Sequence, residues 1–222
     1  MGSGKKKMSY PSLRSQWIRL SKEERLYQLS VPVIGLTGGI ATGKSSFAHL
    51  LREKGVHVID ADKLIKKIYQ KEDVIAFIKK NVPLALEGGK INFRHLREQV
   101  FGKADLKSNL EQFLYAHMPT TFKEEINQRP EATWVIYDVP LLFERSLNYL
   151  VDQSIVVYTT PQIQLDRLMK RDHIDQDFAE RIISHQMPIE EKKKLAHYVV
   201  DNSGGLENHP EIFSKLWKDL VD

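Results

Sequence analysis

The chain predicts an α/β fold: a doubly wound, three-layer parallel sheet of five strands, with a helical substrate-binding insertion and a lid. Three observations carry the prediction. Short, β-branched apolar runs alternate with helix-compatible stretches, the pattern of buried parallel strands and their crossover helices. A glycine-rich stretch closing in Lys44-Ser45 lies between the first apolar run and the first helical one. About 70 residues separate the second strand from the third, far more than a crossover needs.

The elements follow in order. Residues 1–30 precede the alternation as an N-terminal extension. Residues 1–7 (MGSGKKK) are polar, and their composition predicts a flexible stretch. Residues 20–30 (LSKEERLYQLS) predict a short amphipathic helix, with Ser21 as N-cap and Glu24 three residues on, a capping box. The extension either packs on the domain or offers a basic arm to RNA or a membrane. The domain itself spans 31–222. Residues 31–37 (VPVIGLT) form the first strand and 46–54 continue the first helix. Residues 56–60 form the second strand. The insertion, about 62–130, holds helices over 62–81 and 92–128 around a Gly88-Gly89 turn. Residues 134–139, 154–158 and 198–201 supply the remaining strands, about 167–190 the lid, and about 210–220 the last helix. Right-handed crossovers bring the strand C-terminal ends to one edge, where ligands bind. The glycine stretch, Asp60, Asp138 and Thr159 all fall at such ends.

At 222 residues the chain suits one domain with a subdomain. It is 41% hydrophobic and 28% charged, ordinary for a globular protein. The absence of cysteine excludes a disulfide framework, a thiolate metal site and a cysteine nucleophile. No apolar run approaches the roughly 18 residues of a membrane span, and the N-terminus lacks a signal-peptide core. The expectation is therefore a cytoplasmic protein with no membrane partner. A net charge of +4 and a pI of about 9.0 suit polyanionic small substrates as well as nucleic acid.

The chemistry begins at Gly38-Gly39-Ile40-Ala41-Thr42-Gly43-Lys44-Ser45, which fits G-x-x-x-x-G-K-[ST], the phosphate-binding P-loop. Glycine lets backbone N–H groups converge on phosphate oxygens, and the following helix adds positive potential at its N-terminus. Lys44 is expected on the β- and γ-phosphates and the Ser45 hydroxyl on Mg²⁺. The fold is thus expected to be that of a P-loop NTPase, with ATP and Mg²⁺ as cofactors. The second strand ends in Asp60-Ala61-Asp62. Phosphoryl transfer to a hydroxyl uses a carboxylate to orient the nucleophile and take its proton, but Asp also caps helices, and one of the two is open to that role. Asp138 closes an apolar run resembling a Walker B element. It serves either the Mg²⁺ shell or a structural hydrogen bond. Arg167 and Arg171, spaced i, i+4, either clamp phosphates or pair with Asp166 or Asp172. His117 among apolar neighbours is either a packed histidine or a functional one. Trp17, Trp134 and Trp217 read as core or staple residues. Lys66-Lys67, Lys79-Lys80 and Lys192-Lys193-Lys194 read as solvated faces.

These residues together resemble the dephospho-CoA kinase family. Residues 33–46 (VIGLTGGIATGKSS) and 58–64 (VIDADKL) match its opening. Residues 140–144 (PLLFE), 164–172 (QLDRLMKRD), 181–188 (RIISHQMP) and 201–206 (DNSGGL) match its later signatures. The resemblance implies ATP-dependent phosphorylation of the ribose 3′-hydroxyl of dephospho-CoA, the last step of coenzyme A synthesis. It implies Asp62 as base, Lys44 and Arg171 as further catalytic groups, and Asn202 near the nucleotide. Gly38, Gly39, Ala41, Thr42, Gly43 and Ser46 complete the nucleotide site. Thr37, Arg94, His117 and Leu142 join Asp62 on the substrate side, and Ser45 and Asp138 serve the metal. Four departures stand out. Ala41 replaces a common glycine, Ser46 a threonine and His197 an aspartate, and Met118 separates the usual His-Pro pair. The first 30 residues have no family counterpart.

Two other readings stay open. One is a P-loop kinase for a different hydroxyl or nucleotide acceptor. The other is a nucleotide-dependent switch or nucleic-acid-associated ATPase. Against the latter, the chain has no Asn-Lys-x-Asp guanine reader, valine rather than glutamate follows Asp138, and the basic residues form no single stripe. No nucleic-acid partner is expected. The oligomeric state, monomer or weak oligomer, is open.

Overall fold

The computed structural model describes residues 10–204 and 208–222. The polar stretch 1–7, and Gly205 and Leu206 of the 201–206 signature, lie outside the described residues. The chain divides into two compact units, one of Met1–Ile59 with Arg129–Asp222 and one of Asp60–Gln128.

The first unit is built on a five-stranded parallel sheet ordered β2-β5-β1-β6-β7. Its strands are β1 (Val33–Gly38), β2 (Val58–Asp60), β5 (Val135–Asp138), β6 (Gln153–Tyr158) and β7 (Tyr198–Asp201). In β1 and β5 every residue is buried, which is why these runs are apolar throughout instead of alternating. Val33 pairs with Val135, and Leu36 with both Asp138 and Ile155. From β1 the chain fills one side of the sheet with β2 and β5, then the other with β6 and β7. The loop after β1 therefore sits at the topological switch point, where open α/β sheets bind ligands. Helices α1 (Lys44–Glu53), α7 (Pro161–Asp172), α8 (Gln176–Ser184), α9 (Ile189–Leu195) and α10 (His209–Leu220) complete the unit. Its core packs Phe47 and Leu51 of α1 and Phe213, Leu216 and Leu220 of α10 with Ile34, Leu36, Ile136 and Ile155 of the sheet. Trp17 and Trp134 lie in this core, and Trp217 packs against it.

The short amphipathic helix expected over 20–30 is reduced to a 3-10 turn at Leu26–Gln28. The capping box forms, with Ser21 N–H donating to Glu24 Oε2 at 2.9 Å and Glu24 N–H to Ser21 Oγ at 3.4 Å. Tertiary bonds then win over local propensity. Leu26 N–H donates to the Leu150 carbonyl at 2.7 Å, and Tyr27 and Gln28 turn to φ 54°. The Arg25 guanidinium is drawn inward to the Asp152 carboxylate, at 2.7 and 3.0 Å. Burial pushes the Asp152 carboxyl up. The Arg25 contact and N–H bonds from Val33, Leu20 and Arg19 outweigh burial and hold it below the ordinary carboxylate range. Elsewhere in the N-terminal extension, Tyr10 Oη donates to the Trp134 carbonyl at 2.7 Å, and Trp17 Nε1 donates to the Asp219 carbonyl at 2.7 Å.

The second unit carries α2 (Ala61–Ile68), α3 (Glu72–Asn81), the hairpin β3 (Leu86–Glu87) and β4 (Lys90–Ile91), then α4 (Phe93–Val100), α5 (Ala104–Ala116) and α6 (Met118–Asn127). Each of the two long helices expected here is broken. The buried residues of α2 are Ala61, Leu64 and Ile68, and those of α3 are Val74 and Ile78. That stripe slips by a residue across 69–71, so one straight helix would not bury both halves. Between α4 and α5 the break falls at Gly102, with φ 75°. Between α5 and α6 it falls at His117, after which Pro119 occupies the first turn of α6, where its missing N–H costs nothing.

Candidate active site

The loop from β1 to α1 is held by side chains from distant elements. Thr42 Oγ1 donates to the Gly39 carbonyl at 2.9 Å. The Gln164 amide of α7 donates to the Ile40 carbonyl at 2.9 Å, and Ile40 N–H donates to Gln186 Oε1 at 2.9 Å. The buried Asn202, just past β7, donates to the Thr42 carbonyl at 2.8 Å. Gly43 has φ 92°, and a Cβ there would collide with the Asn202 amide, so both backbone and space demand glycine. Ala41 takes φ 60° without being glycine. The N–H groups of Ala41, Gly43, Lys44 and Ser45 find no acceptor among the described residues, the last two being first-turn helix donors. They form the set that suits a polyphosphate.

Lys44 Nζ is ion-paired with the Asp138 carboxylate, both largely buried. Asp138 thus fixes the lysine ammonium beside the loop and brings a carboxylate oxygen there. Thr37 is fully buried, and its hydroxyl donates to the Pro140 carbonyl at 3.0 Å. Leu142 is fully buried as well, its methyl groups against Gly35. Neither side chain reaches the surface of the site. Lys192, expected on a solvated face, is wholly buried. Its ammonium donates to the Pro140 carbonyl at 2.7 Å and meets Glu144 Oε1 at 2.8 Å. Burial lowers its pKa, the Glu144 carboxylate opposes that shift, and the charge on Lys44 adds to it. Glu144 Oε1 also accepts Met187 N–H at 2.9 Å.

In the expected lid, Arg171 is exposed and forks onto its neighbour Asp172 at 2.7 and 2.9 Å, a pairing that raises the arginine's pKa and lowers the aspartate's. Arg167 donates to the Gly204 carbonyl at 2.7 Å. A groove of about 770 Å³ opens between α1 and α10 from Ser45 and Ser46, lined by His49, His209, Phe213 and Trp217.

The second unit separates the two aspartates of 60–62. Asp60 is the N-cap of α2, its carboxylate accepting Lys63 N–H at 3.1 Å. Asp62 lies in the first turn of α2, exposed and without a hydrogen bond among the described residues. It lines a groove of about 1150 Å³ whose walls include Lys66, Tyr69, Phe93, Arg97, Phe101 and Lys107. Arg94 is not part of that lining; it is exposed and pairs with Glu98 at 3.0 Å. His117 Nε2 stands 3.3 Å from the Asp73 carboxylate with its ring edge-on to Phe113, away from the groove lining.

Sequence reasoning passed over Gln164, Gln186, Arg97 and Lys107, and placed Lys192 on a solvated face. One signal was available: Gln164 sits four residues before Leu168 on the apolar stripe of α7, where a buried polar residue needs a partner. Arg97 and Lys107 gave none, because only the packing of α2, α4 and α5 brings them to one surface.

A parallel sheet with this loop at its switch point, and with a Lys–Asp pair beside it, defines a P-loop nucleotide-binding protein. Comparison with known proteins narrows the class. A family model described as dephospho-CoA kinase matches residues 32–208. A dephospho-CoA kinase of Carboxydothermus hydrogenoformans is 39% identical over 205 residues, covering 86% of this chain and 98% of that one. One from Listeria innocua is 37% identical over 181 residues, covering 78% and 90%. Among solved structures, a Thermus thermophilus protein superposes with a TM-score of 0.75 at 30% identity, covering 86% and 99%. A dephospho-CoA kinase from Campylobacter jejuni gives 0.64 at 26% identity, covering 84% and 96%. The chain belongs to the dephospho-CoA kinase family, which catalyses the final step of coenzyme A synthesis.

Proposed function

We propose that the chain transfers the γ-phosphoryl group of Mg·ATP to the ribose 3′-hydroxyl of dephospho-CoA, giving coenzyme A and ADP, with Asp62 as the base. The observation that carries the assignment of the base is the division of labour on α2. Asp60 is committed to the helix cap, and Asp62 is left free on the wall of an apolar groove with a cationic rim. Such a groove suits a substrate that combines apolar stretches with phosphates. The Asp62 carboxylate accepts the hydroxyl proton as the oxygen attacks phosphorus. The free N–H groups of the P-loop hold the phosphate oxygens, and Lys44 follows the charge that develops on the transferring group.

Ser45 and Asp138 fit Mg²⁺: both offer hard oxygen atoms, and Mg²⁺ is typically held by one or two protein oxygens together with substrate phosphates. No cluster of three or more His, Cys, Asp or Glu among the described residues offers an alternative cage. Held there, Mg²⁺ would supply charge neutralisation to the nucleotide phosphates. Arg171 turns from Asp172 to the phosphates, and closure of the lid keeps water from the γ-phosphate. No helix among the described residues is long and apolar enough to cross a membrane, and we place the enzyme in the cytoplasm with its soluble substrates.

The test is ADP release with Mg·ATP and dephospho-CoA, beside AMP, CMP, shikimate, pantothenate and no acceptor, with the product identified by mass. Turnover with dephospho-CoA alone, adding one phosphoryl group, is expected. Turnover with another acceptor in its place rejects the substrate.

A further inference from the structure

Gln164 and Gln186 serve no role in the mechanism above, yet both lie against the phosphate loop. They grip the two peptide groups that flank the Ile40 side chain. Gln164 Nε2 donates to the Ile40 carbonyl at 2.9 Å, and Gln186 Oε1 accepts Ile40 N–H at 2.9 Å. The residue that follows is Ala41, at φ 60°. A non-glycine residue holds this conformation only when its surroundings over-determine it. Gln164 is 3% exposed and fixed on α7, and Gln186 lies just past the end of α8. Two elements that lie more than 120 residues downstream of the loop, by the separations of 124 and 146 residues, therefore set its shape.

We infer that Gln164 and Gln186 are positioning residues that hold the Ala41 peptide in its left-handed form, so that the loop N–H groups stay aimed at the phosphates before nucleotide arrives. The physical effect is preorganisation. A loop fixed beforehand gives up less freedom on binding than one that must be ordered. The Oε1 of Gln186 satisfies the Ile40 N–H. The Nε2 of Gln164 occupies the Ile40 carbonyl, a group that would repel an anion if left free. Gln186 also lies within the expected lid span, so the same contact couples the lid's C-terminal end to the loop. The inference rests on the P-loop kinase reading, but it concerns nucleotide binding alone.

The test is a thermodynamic cycle read by Mg·ATP titration without acceptor. Gln186→Met and Gln164→Met keep length and remove one bond each. In the native background each is expected to raise the Kd for Mg·ATP by about five- to tenfold, the scale of one lost buried hydrogen bond. Glycine at position 41 adopts φ 60° unaided. In an Ala41→Gly background the same substitutions are expected to change Kd less than twofold. Equal losses in both backgrounds would overturn the inference, as would no loss in the native one. Gln186→Met, at a half-buried position, decides the matter alone if Gln164→Met fails to fold. Wild-type protein that binds Mg·ATP yet does not phosphorylate dephospho-CoA would refute the substrate and leave this cycle intact.

Discussion

The phosphate loop and the groove of the helical unit are both expected to hold phosphorylated compounds, and they are built in opposite ways. The loop offers backbone N–H groups, so its requirements are conformational: glycine at Gly43, a helix N-terminus, a lysine at fixed spacing. The groove offers side chains, Asp62 and Lys66 from α2, Arg97 from α4 and Lys107 from α5, so its requirement is the packing of three helices. Sites where backbone binds are written in consecutive residues. Sites where side chains bind are dispersed along the chain.

The sharpest test of that contrast is Asp62→Asn, which touches the groove and leaves the loop alone. The rate constant kcat is expected to fall on the order of 10²–10⁴ for a lost general base, with the Kd for Mg·ATP within twofold of wild type. Wild-type-like turnover would remove Asp62 from the mechanism. Next comes Gly43→Ala, which does the reverse. A Cβ at φ 92° and against Asn202 costs about 1–3 kcal/mol, measured as a lower Tm together with weaker ATP binding. An unchanged Tm and Kd would show that the loop yields where the contacts say it does not. Arg97→Ala is gentler. Loss of one partly solvated charge contact is worth about 1 kcal/mol, so KM for dephospho-CoA is expected to rise about fivefold with KM for ATP and kcat unchanged. A change in KM for ATP instead would place Arg97 outside the groove's function.

The smallest effect separates the two units by pH. His197 Nδ1 accepts Ser154 N–H at 3.2 Å and lies 2.8 Å from Ser154 Oγ, at the start of β6. Burial and the charge on Arg19 lower its pKa. The unfolded chain therefore takes up the proton first, and the stability contributed here is full above about pH 6.5 and declines as pH falls below it. Hydrogen exchange at pH 7.5 and 5.5 is expected to show a selective loss of protection in β6 and β7, with α4 to α6 unchanged and His197→Gln flattening the difference. Equal loss in both units would point to a different titrating group.

Much of the fold was legible because it repeats. Five apolar runs gave five strands, and the fixed spacing of Gly38 to Ser45 located the turn between β1 and α1. What escaped reading depended on partners far away in sequence. The capping box at Ser21 and Glu24 formed, but Leu150 and Asp152 redirected the residues after it. Lys192 looks like its neighbours Lys193 and Lys194 until Glu144 and Pro140 are brought beside it. Of the aspartates at 60 and 62, residue type alone could not say which caps α2; the N–H of Lys63 decides.

The interior position of Lys192 has a use beyond the site itself. Amine acylation needs an amine that reagent can reach, and Lys192 has no solvent access. Lys194, two residues on and 69% exposed, has access from the start. The two residues therefore form an internal clock: mass spectrometry of one peptide, acylated for increasing times, reads the fast site as a reference and the slow one as the frequency with which α9 leaves its seat.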